Sequence, residues 1–224
     1  MIGTALLLSF KLATITSLVL LFIGLPIARW IAFSRNRFKF LVESAIALPI
    51  ILPPTVLGFY LLVALGPRSP IGALWLSWTG HPLAFSFAGL VVGSVIYSLP
   101  FAVQPFAASF SSVDPALLHA SATLGASPWR TFREIVLPLS VPGIITGVAL
   151  SFAHTLGEFG VVLMIGGNIP GTTQTISIAI YDHVEALEYS AANQAAILLL
   201  VISFVLLAVV YGMNRKVLRV WPFE

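Results

Sequence analysis

Long apolar runs separated by short polar stretches are the feature of this sequence that most restricts its fold. A helix needs about 20 mostly apolar residues to cross the hydrocarbon core of a membrane. Only 8% of the 224 residues are charged, whereas soluble domains carry about 25%. The sequence therefore predicts an all-α integral membrane protein with a single transmembrane domain over residues 1–224. The predicted spans cover about residues 5–33, 40–65, 83–110, 136–166 and 191–213.

Two of these runs do not fit a regular helix. The second run contains Pro49, Pro53 and Pro54, whose missing N–H groups break or kink a helix. Either it adjoins a watery cavity or a partner subunit, or it is a kinked packing helix. The fourth run is longer than one upright span needs. It is either one tilted helix with an irregular end or a helix followed by a short partial span. A partial span between Leu156 and Tyr181 would be a sixth.

Two segments between the predicted spans are expected to be loops. Residues 66–82 are rich in glycine and proline, with Trp75 and Trp78 placed to anchor the chain at the membrane interface. Residues 167–190 are polar, and we expect them to lie outside the membrane.

The basic residues indicate how the chain is oriented. In a five-span arrangement nine of them fall on one side, and only Lys11 and Arg68 fall on the other. Because cytoplasmic loops carry the excess of Lys and Arg, the N-terminus is predicted to be outside and the C-terminus cytoplasmic. The nine residues are Arg29, Arg35, Arg37, Lys39, Arg130, Arg133, Arg215, Lys216 and Arg219.

A polar stretch at residues 114–138, called the elbow from here on, separates the third and fourth runs. Asp114 followed by Pro115 predicts the start of a helix. That helix ends near Leu124, because Gly125 is the residue type that closes helices in the left-handed conformation. Ser127 then starts a second helix that enters the membrane. The sequence predicts two short arms joined at a glycine corner, with small residues suited to docking on another protein.

Several classes of chemistry are excluded by residue types. The chain has no cysteine, and no glycine-rich phosphate loop ending in Lys-Ser or Lys-Thr. The four histidines have no metal-ligand spacing with one another. No nucleophile–base pair is suggested, so we predict no catalytic residue, metal or cofactor. The net charge of +3 belongs to the topology signal and predicts no nucleic-acid binding.

Glu158 is the one carboxylate in the interior of a predicted span, and His154 lies four residues earlier on the same helix face. An ionisable group at membrane depth is costly and is therefore a candidate for function. In one interpretation His154 and Glu158 form a pair that holds a gate or lines a dimer interface. In the other, Glu158 lies in water near the outer headgroups.

The elbow resembles the EAA loop of bacterial ABC importer permeases. The match runs through His119-Ala120-Ser121, Gly125 and Ile135-x-Leu137-Pro138, and it departs at His119 and Ser121, where the family usually has Glu and Ala. The resemblance implies a type I ABC importer transmembrane-domain fold, with five or six transmembrane helices and a cytoplasmic coupling helix. The residues that it assigns to ATPase coupling are Ala120, Ser121, Gly125, Ala126, Ile135, Leu137 and Pro138.

Three further motifs are similar to the molybdate branch of that family, and less closely to the sulfate branch. They are PPTVLGFYLL at residues 53–62, LGEFG at 156–160 and GNIPGTTQTISIAIY at 167–181. The resemblance implies alternating-access import of a tetrahedral oxyanion, molybdate first and sulfate, thiosulfate or tungstate as alternatives. A secondary transporter is a rival of another class. An intramembrane enzyme is disfavoured by the missing nucleophile–base pair.

The resemblance also implies an assembly and a location. Such permeases are homodimers in the lipid of the bacterial inner membrane, with cytoplasmic ABC ATPase subunits and a periplasmic oxyanion-binding protein. The chain itself is then not an enzyme, because the partner hydrolyses ATP. An acidic outer segment is either a solvated surface or a docking edge for the binding protein. Its residues are Asp182, His183, Glu185 and Glu188.

Overall fold

The structure is a computed structural model that describes residues 2–218, all of whose regular elements are helical. Arg219, which contributed to the predicted orientation, lies outside the described residues. The elements in chain order are α1 (Ile2–Phe33), α2 (Lys39–Ile51), α3 (Pro54–Leu65), α4 (Pro70–Thr79), α5 (Phe87–Ser111), α6 (Pro115–Thr123), α7 (Pro128–Thr131), a π-helical turn (Phe132–Val136), α8 (Leu137–Leu139), α9 (Val141–Gly157), α10 (Gly160–Gly166), α11 (Ile176–Glu185) and α12 (Tyr189–Leu218).

The five predicted spans all correspond to helices in the described chain. By length and composition α1, α5 and α12 can each cross a membrane alone, and two bent pairs bring the number to at most five. Helices α2 and α3 meet at 112°, and the Pro128–Leu139 helix meets α9 at 68°. Helices α10 and α11, with 7 and 10 residues, are too short to make a sixth complete span.

Prolines explain the break in the second span. Leu52 precedes Pro53 and is extended, with ψ of 138°, because the proline ring excludes the helical conformation for the residue before it. Pro54 then starts α3, where its missing N–H costs no helical hydrogen bond. The predicted break is confirmed.

The prediction of loops between the spans is wrong at two places. Helix α4 lies inside residues 66–82: Ser69 Oγ accepts a hydrogen bond from the Gly72 N–H at 2.9 Å, and Gly80 ends the helix with φ of +75°. Helix α11 lies inside residues 167–190, and its Ile176 and Ile178 are fully buried. Ser69 is a residue type that starts helices, but the glycines and prolines around it favoured the prediction of a loop.

Helices α1, α5 and α9 form the centre of the molecule by packing around Phe106. A Cβ on Gly147 of α9 would lie 2.5 Å from Phe106 Cε1, and one on Gly24 of α1 would lie 3.2 Å from Cε2. Only glycine allows α9 to come this close. The main apolar cluster extends from this ring to Phe110 and to Phe132 of the π-helical turn. The core is therefore continuous with the elbow.

Candidate functional site

The elbow has the geometry that its sequence predicts. The Asp114 carboxylate accepts a hydrogen bond from the Ala116 N–H at 2.8 Å, and α6 ends at Thr123, one residue before the predicted end. Gly125 has φ of +76°, which is the left-handed conformation expected of a corner glycine. The first arm and the corner are therefore built by local chemistry.

Hydrogen bonds fix the second arm against the first. Ser127 Oγ accepts from the Arg130 N–H at 3.3 Å at the start of α7. Between the arms, the hydroxyls of Ser121 and Thr131 share a hydrogen bond of 2.6 Å, and Ser121 is buried. Ser121 therefore holds the angle of the elbow from inside, and its side chain is not presented to a partner by this chain.

The elbow tip, defined as residues 119, 120 and 123–125, is exposed. Leu124 is 87% exposed, which is the largest exposed fraction among the large apolar side chains of the described residues. It lies directly before the corner glycine, where the left-handed turn ends the helix. An apolar side chain held in water on a rigid polar element is suited to bury itself in a partner.

The remaining predicted coupling residues have different surroundings. Ala120 is exposed on the tip. Pro138, which is not part of the tip, is exposed as well. Ile135 and Leu137 are partly buried against the main apolar cluster, so they connect the elbow to the core. Ala126 is half-buried and lines a cavity between the elbow and α1.

Glu158 lies at the break between α9 and α10 and is only 4% exposed. Within the part of the chain that the structure describes, neither of its carboxylate oxygens has a hydrogen-bond partner. The chain itself therefore shields Glu158 from water, and its position relative to the outer headgroups stays a prediction. An ionised carboxylate buried without a partner is costly, so Glu158 stays a candidate for function.

His154 does not pair with Glu158 in this structure. Its Nδ1 lies 2.9 Å from Ser98 Oγ, which also shares a hydrogen bond of 2.8 Å with Thr155. The imidazole stacks on Phe101 with ring centroids 4.0 Å apart. His154 is thus held against α5 by partners that the sequence did not indicate.

Both broken spans contribute to one cavity of about 540 Å³. Its walls include Thr55 at the start of α3, Tyr97 of α5, His154 and Glu158. Irregular backbone at membrane depth is tolerated where it adjoins such a cavity. Among the described residues no group of three or more His, Asp or Glu side chains could hold a metal ion.

Hydrogen bonds join the acidic segment to the loop before α11. Asn168 Nδ2 donates to both carboxylate oxygens of Asp182, at 2.7 and 2.6 Å, and Gln174 Nε2 donates to Asn168 and Asp182 at 2.9 Å. The Tyr181 hydroxyl donates to Glu185, and this hydrogen bond raises the pKa of Tyr181. The network fixes the loop before α11.

Sequence reasoning missed two features of the elbow region. One is the exposure of Leu124, for which its place beside the corner glycine was the available signal. The other is Arg29 near the end of α1, whose guanidinium carbon lies 4.9 Å from the ring centroid of Phe132 and 5.4 Å from that of Trp129. No local pattern joins Arg29 to rings a hundred residues away.

Comparison with known proteins gives a family and several relatives. Residues 5–219 match the model of the family described as binding-protein-dependent transport system inner membrane component. The chain is 51% identical over 208 residues to the molybdenum transport system permease protein ModB of Azotobacter vinelandii, covering 93% of this chain and 92% of the relative. It is 42% identical to ModB of Escherichia coli K12, covering 81% and 79%. A probable sulfate transport system permease protein of Zygnema circumcarinatum is 31% identical, covering 90% and 70%.

Solved structures share the fold. An inward-facing conformation of the MetNI methionine ABC transporter matches with a TM-score of 0.75 at 15% identity, over 95% of this chain and 94% of the other. A bacterial alginate ABC transporter in complex with its pentasaccharide-bound periplasmic protein matches with a TM-score of 0.74 at 20% identity, over 96% and 78%. At these identities the likeness concerns the fold alone.

Proposed function

Since the chain belongs to the family of binding-protein-dependent transport system inner membrane components, we propose that it is the permease subunit of an ATP-driven importer of molybdate. The cargo is supported by the difference between the relatives. Identity is 51% to a molybdenum permease and 31% to a probable sulfate permease. Sulfate, thiosulfate and tungstate are the alternatives, because they are tetrahedral oxyanions of similar shape and charge.

The elbow is the observation that carries the mechanism. Its arms are locked by the Ser121–Thr131 hydrogen bond, its tip presents Leu124 to solvent, and its inner side is continuous with the core. A rigid element of this kind transmits a displacement instead of absorbing it. We assign the tip to a cytoplasmic ATPase subunit. ATP hydrolysis belongs to that partner, since the sequence has no phosphate-binding loop.

Alternating access requires a path between two halves, and a second copy of this chain supplies the other half. The cavity at the two broken spans is placed to line that path, with Glu158 and His154 at the gate or the dimer interface. The carboxyl group of Glu158 is a poor site for a dianion, because it repels the cargo whenever it is ionised, so it is assigned to gating and not to cargo binding. Cargo selectivity then resides in a periplasmic oxyanion-binding protein that docks on the outer face.

The orientation that follows from the basic residues fits this assembly. With the N-terminus outside and the C-terminus cytoplasmic, the elbow faces the ATPase and the network around Asp182 faces the periplasm. The outer network then holds a surface of fixed shape for the binding protein.

Reconstitution tests the proposal. Proteoliposomes that contain this chain and its ATPase, with binding protein outside and ATP inside, are expected to accumulate radiolabelled molybdate. Omission of ATP, ATPase or binding protein should each abolish uptake. Uptake that follows an ion gradient without ATP would favour a secondary transporter, and stronger uptake of sulfate than of molybdate would reassign the cargo.

A further inference from the structure

A groove of about 640 Å³ separates the cytoplasmic end of α1 from the elbow, and it is called the α1–elbow groove from here on. Its volume is in the range of pockets that bind small molecules. Most of the wall is apolar, with one cationic side chain. The wall residues used below are Pro26, Arg29, Phe33, Leu118, Ala122 and Phe132.

Arg29 is the cationic group of the groove, and its charge has no acidic partner in the part of the chain that the structure describes. The described residues give Arg29 neither a salt bridge nor a side-chain hydrogen bond, only the faces of Trp129 and Phe132. The five N–H donors of a guanidinium lie in its plane, so stacking on rings leaves them available. The groove therefore presents an unused fork of donors that matches a phosphate group.

The depth of Arg29 corresponds to the headgroup layer. Lys11 and Arg29 are both on α1 and are separated by about 27 Å at 1.5 Å per residue, close to the hydrocarbon thickness of about 30 Å. Trp30 is 41% exposed and Trp129 is 60% exposed, and tryptophan is enriched at the membrane interface. The apolar wall of the groove begins at Pro26, on the membrane side of Arg29.

We propose that the α1–elbow groove binds one anionic phospholipid. Its phosphate bonds to Arg29, and the start of an acyl chain lies along Pro26, Phe33 and Leu118. A net negative headgroup is favoured because Arg29 is the only charged side chain among the described residues that line the groove. The ammonium of a zwitterionic headgroup would meet no acidic residue among them. The lipid would contact α1 and the elbow together, so it would connect the membrane directly to the element that we assign to the ATPase.

Native mass spectrometry of the detergent-purified complex of this chain with its ATPase tests the proposal. After removal of lipid, the complex is titrated with phosphatidylglycerol and with phosphatidylcholine of the same acyl chains. We expect tighter retention of phosphatidylglycerol, and about fivefold weaker retention in Arg29→Gln, the effect of one basic residue at a charged lipid surface. Arg133→Gln is the matched control, because Arg133 is exposed on the same elbow and does not line the groove.

A second variant keeps the test decisive if Arg29→Gln does not fold. Ala122→Leu fills the groove without a change of charge, and it should also weaken retention of phosphatidylglycerol. Equal retention of both lipids, or wild-type retention in both variants, would overturn the proposal. A photo-crosslinker at Ala122 that captures the ATPase instead of lipid would do the same. No cargo or ATP enters the measurement, so failure here would leave the proposed transport function unaffected.

Discussion

Replacing Leu124 by Ala should weaken the attachment of the ATPase to this chain. Leu124 is 87% exposed on the elbow tip, so nearly its whole side chain is available for burial by a partner. The substitution removes three carbon atoms, and burial contributes about 0.8 kcal/mol for each methylene. We therefore expect a loss of about 2 kcal/mol per elbow, which corresponds to roughly 30-fold weaker binding.

The affinity of the purified ATPase is measured at a fixed salt concentration, with this chain held in lipid nanodiscs that are immobilised on a sensor surface. Leu200→Ala is the matched control, because Leu200 is 67% exposed but lies in the middle of α12, which is long and apolar enough to cross the membrane. That variant should bind the ATPase like the wild type. The melting temperature of Leu124→Ala should also be unchanged, since the side chain makes little contact within the chain.

Wild-type affinity in Leu124→Ala would refute the reasoning, because the tip would then not be buried by the ATPase. An equal loss in Leu200→Ala would also count against it, since both variants would then act through general destabilisation. A lowered melting temperature in Leu124→Ala alone would show that the residue stabilises the elbow itself.

Three further predictions concern the inside of the chain. Ser121→Ala leaves Thr131 without its hydrogen-bond partner, so we expect the free energy of unfolding to fall by about 1 kcal/mol. We also expect less molybdate uptake per ATP hydrolysed in proteoliposomes. An unchanged ratio would show that coupling does not need the hydrogen bond between the arms. Glu158→Gln should keep or raise the melting temperature, because it removes an ionisable group that is buried without a partner. The same variant should lower molybdate uptake, and unchanged uptake would remove Glu158 from the mechanism. Gly147→Val should prevent α9 from packing on Phe106 and abolish a cooperative melting transition, whereas normal melting would contradict the close approach.

Local signals in the sequence were sufficient for the elbow and for the broken second span. Asp114, Gly125 and Ser127 act on their immediate neighbours, and Pro53 restricts the residue before it, so these features follow from short-range chemistry. The five spans follow from length and composition for the same reason.

Features that depend on distant contacts were not accessible in this way. Glu158 is buried because α9 breaks beside α3 and α5, and nothing in its own segment indicates that. His154 bonds to Ser98, 56 residues away along the chain, while spacing alone suggested a pair with Glu158. The burial of Ser121 likewise depends on Thr131 across the corner, although the resemblance placed Ser121 among the docking residues.

In the proposed assembly the elbow connects a cytoplasmic ATPase to the membrane helices. Because the chain has no cysteine, a single Ala120→Cys substitution gives one site for a photo-crosslinking thiol reagent. In inverted membrane vesicles that contain the complex, the crosslinker is expected to capture the ATPase, and in intact cells a membrane-impermeant thiol reagent should not label the residue. Labelling from outside the cell, or capture of lipid alone, would show that the elbow does not contact a cytoplasmic ATPase.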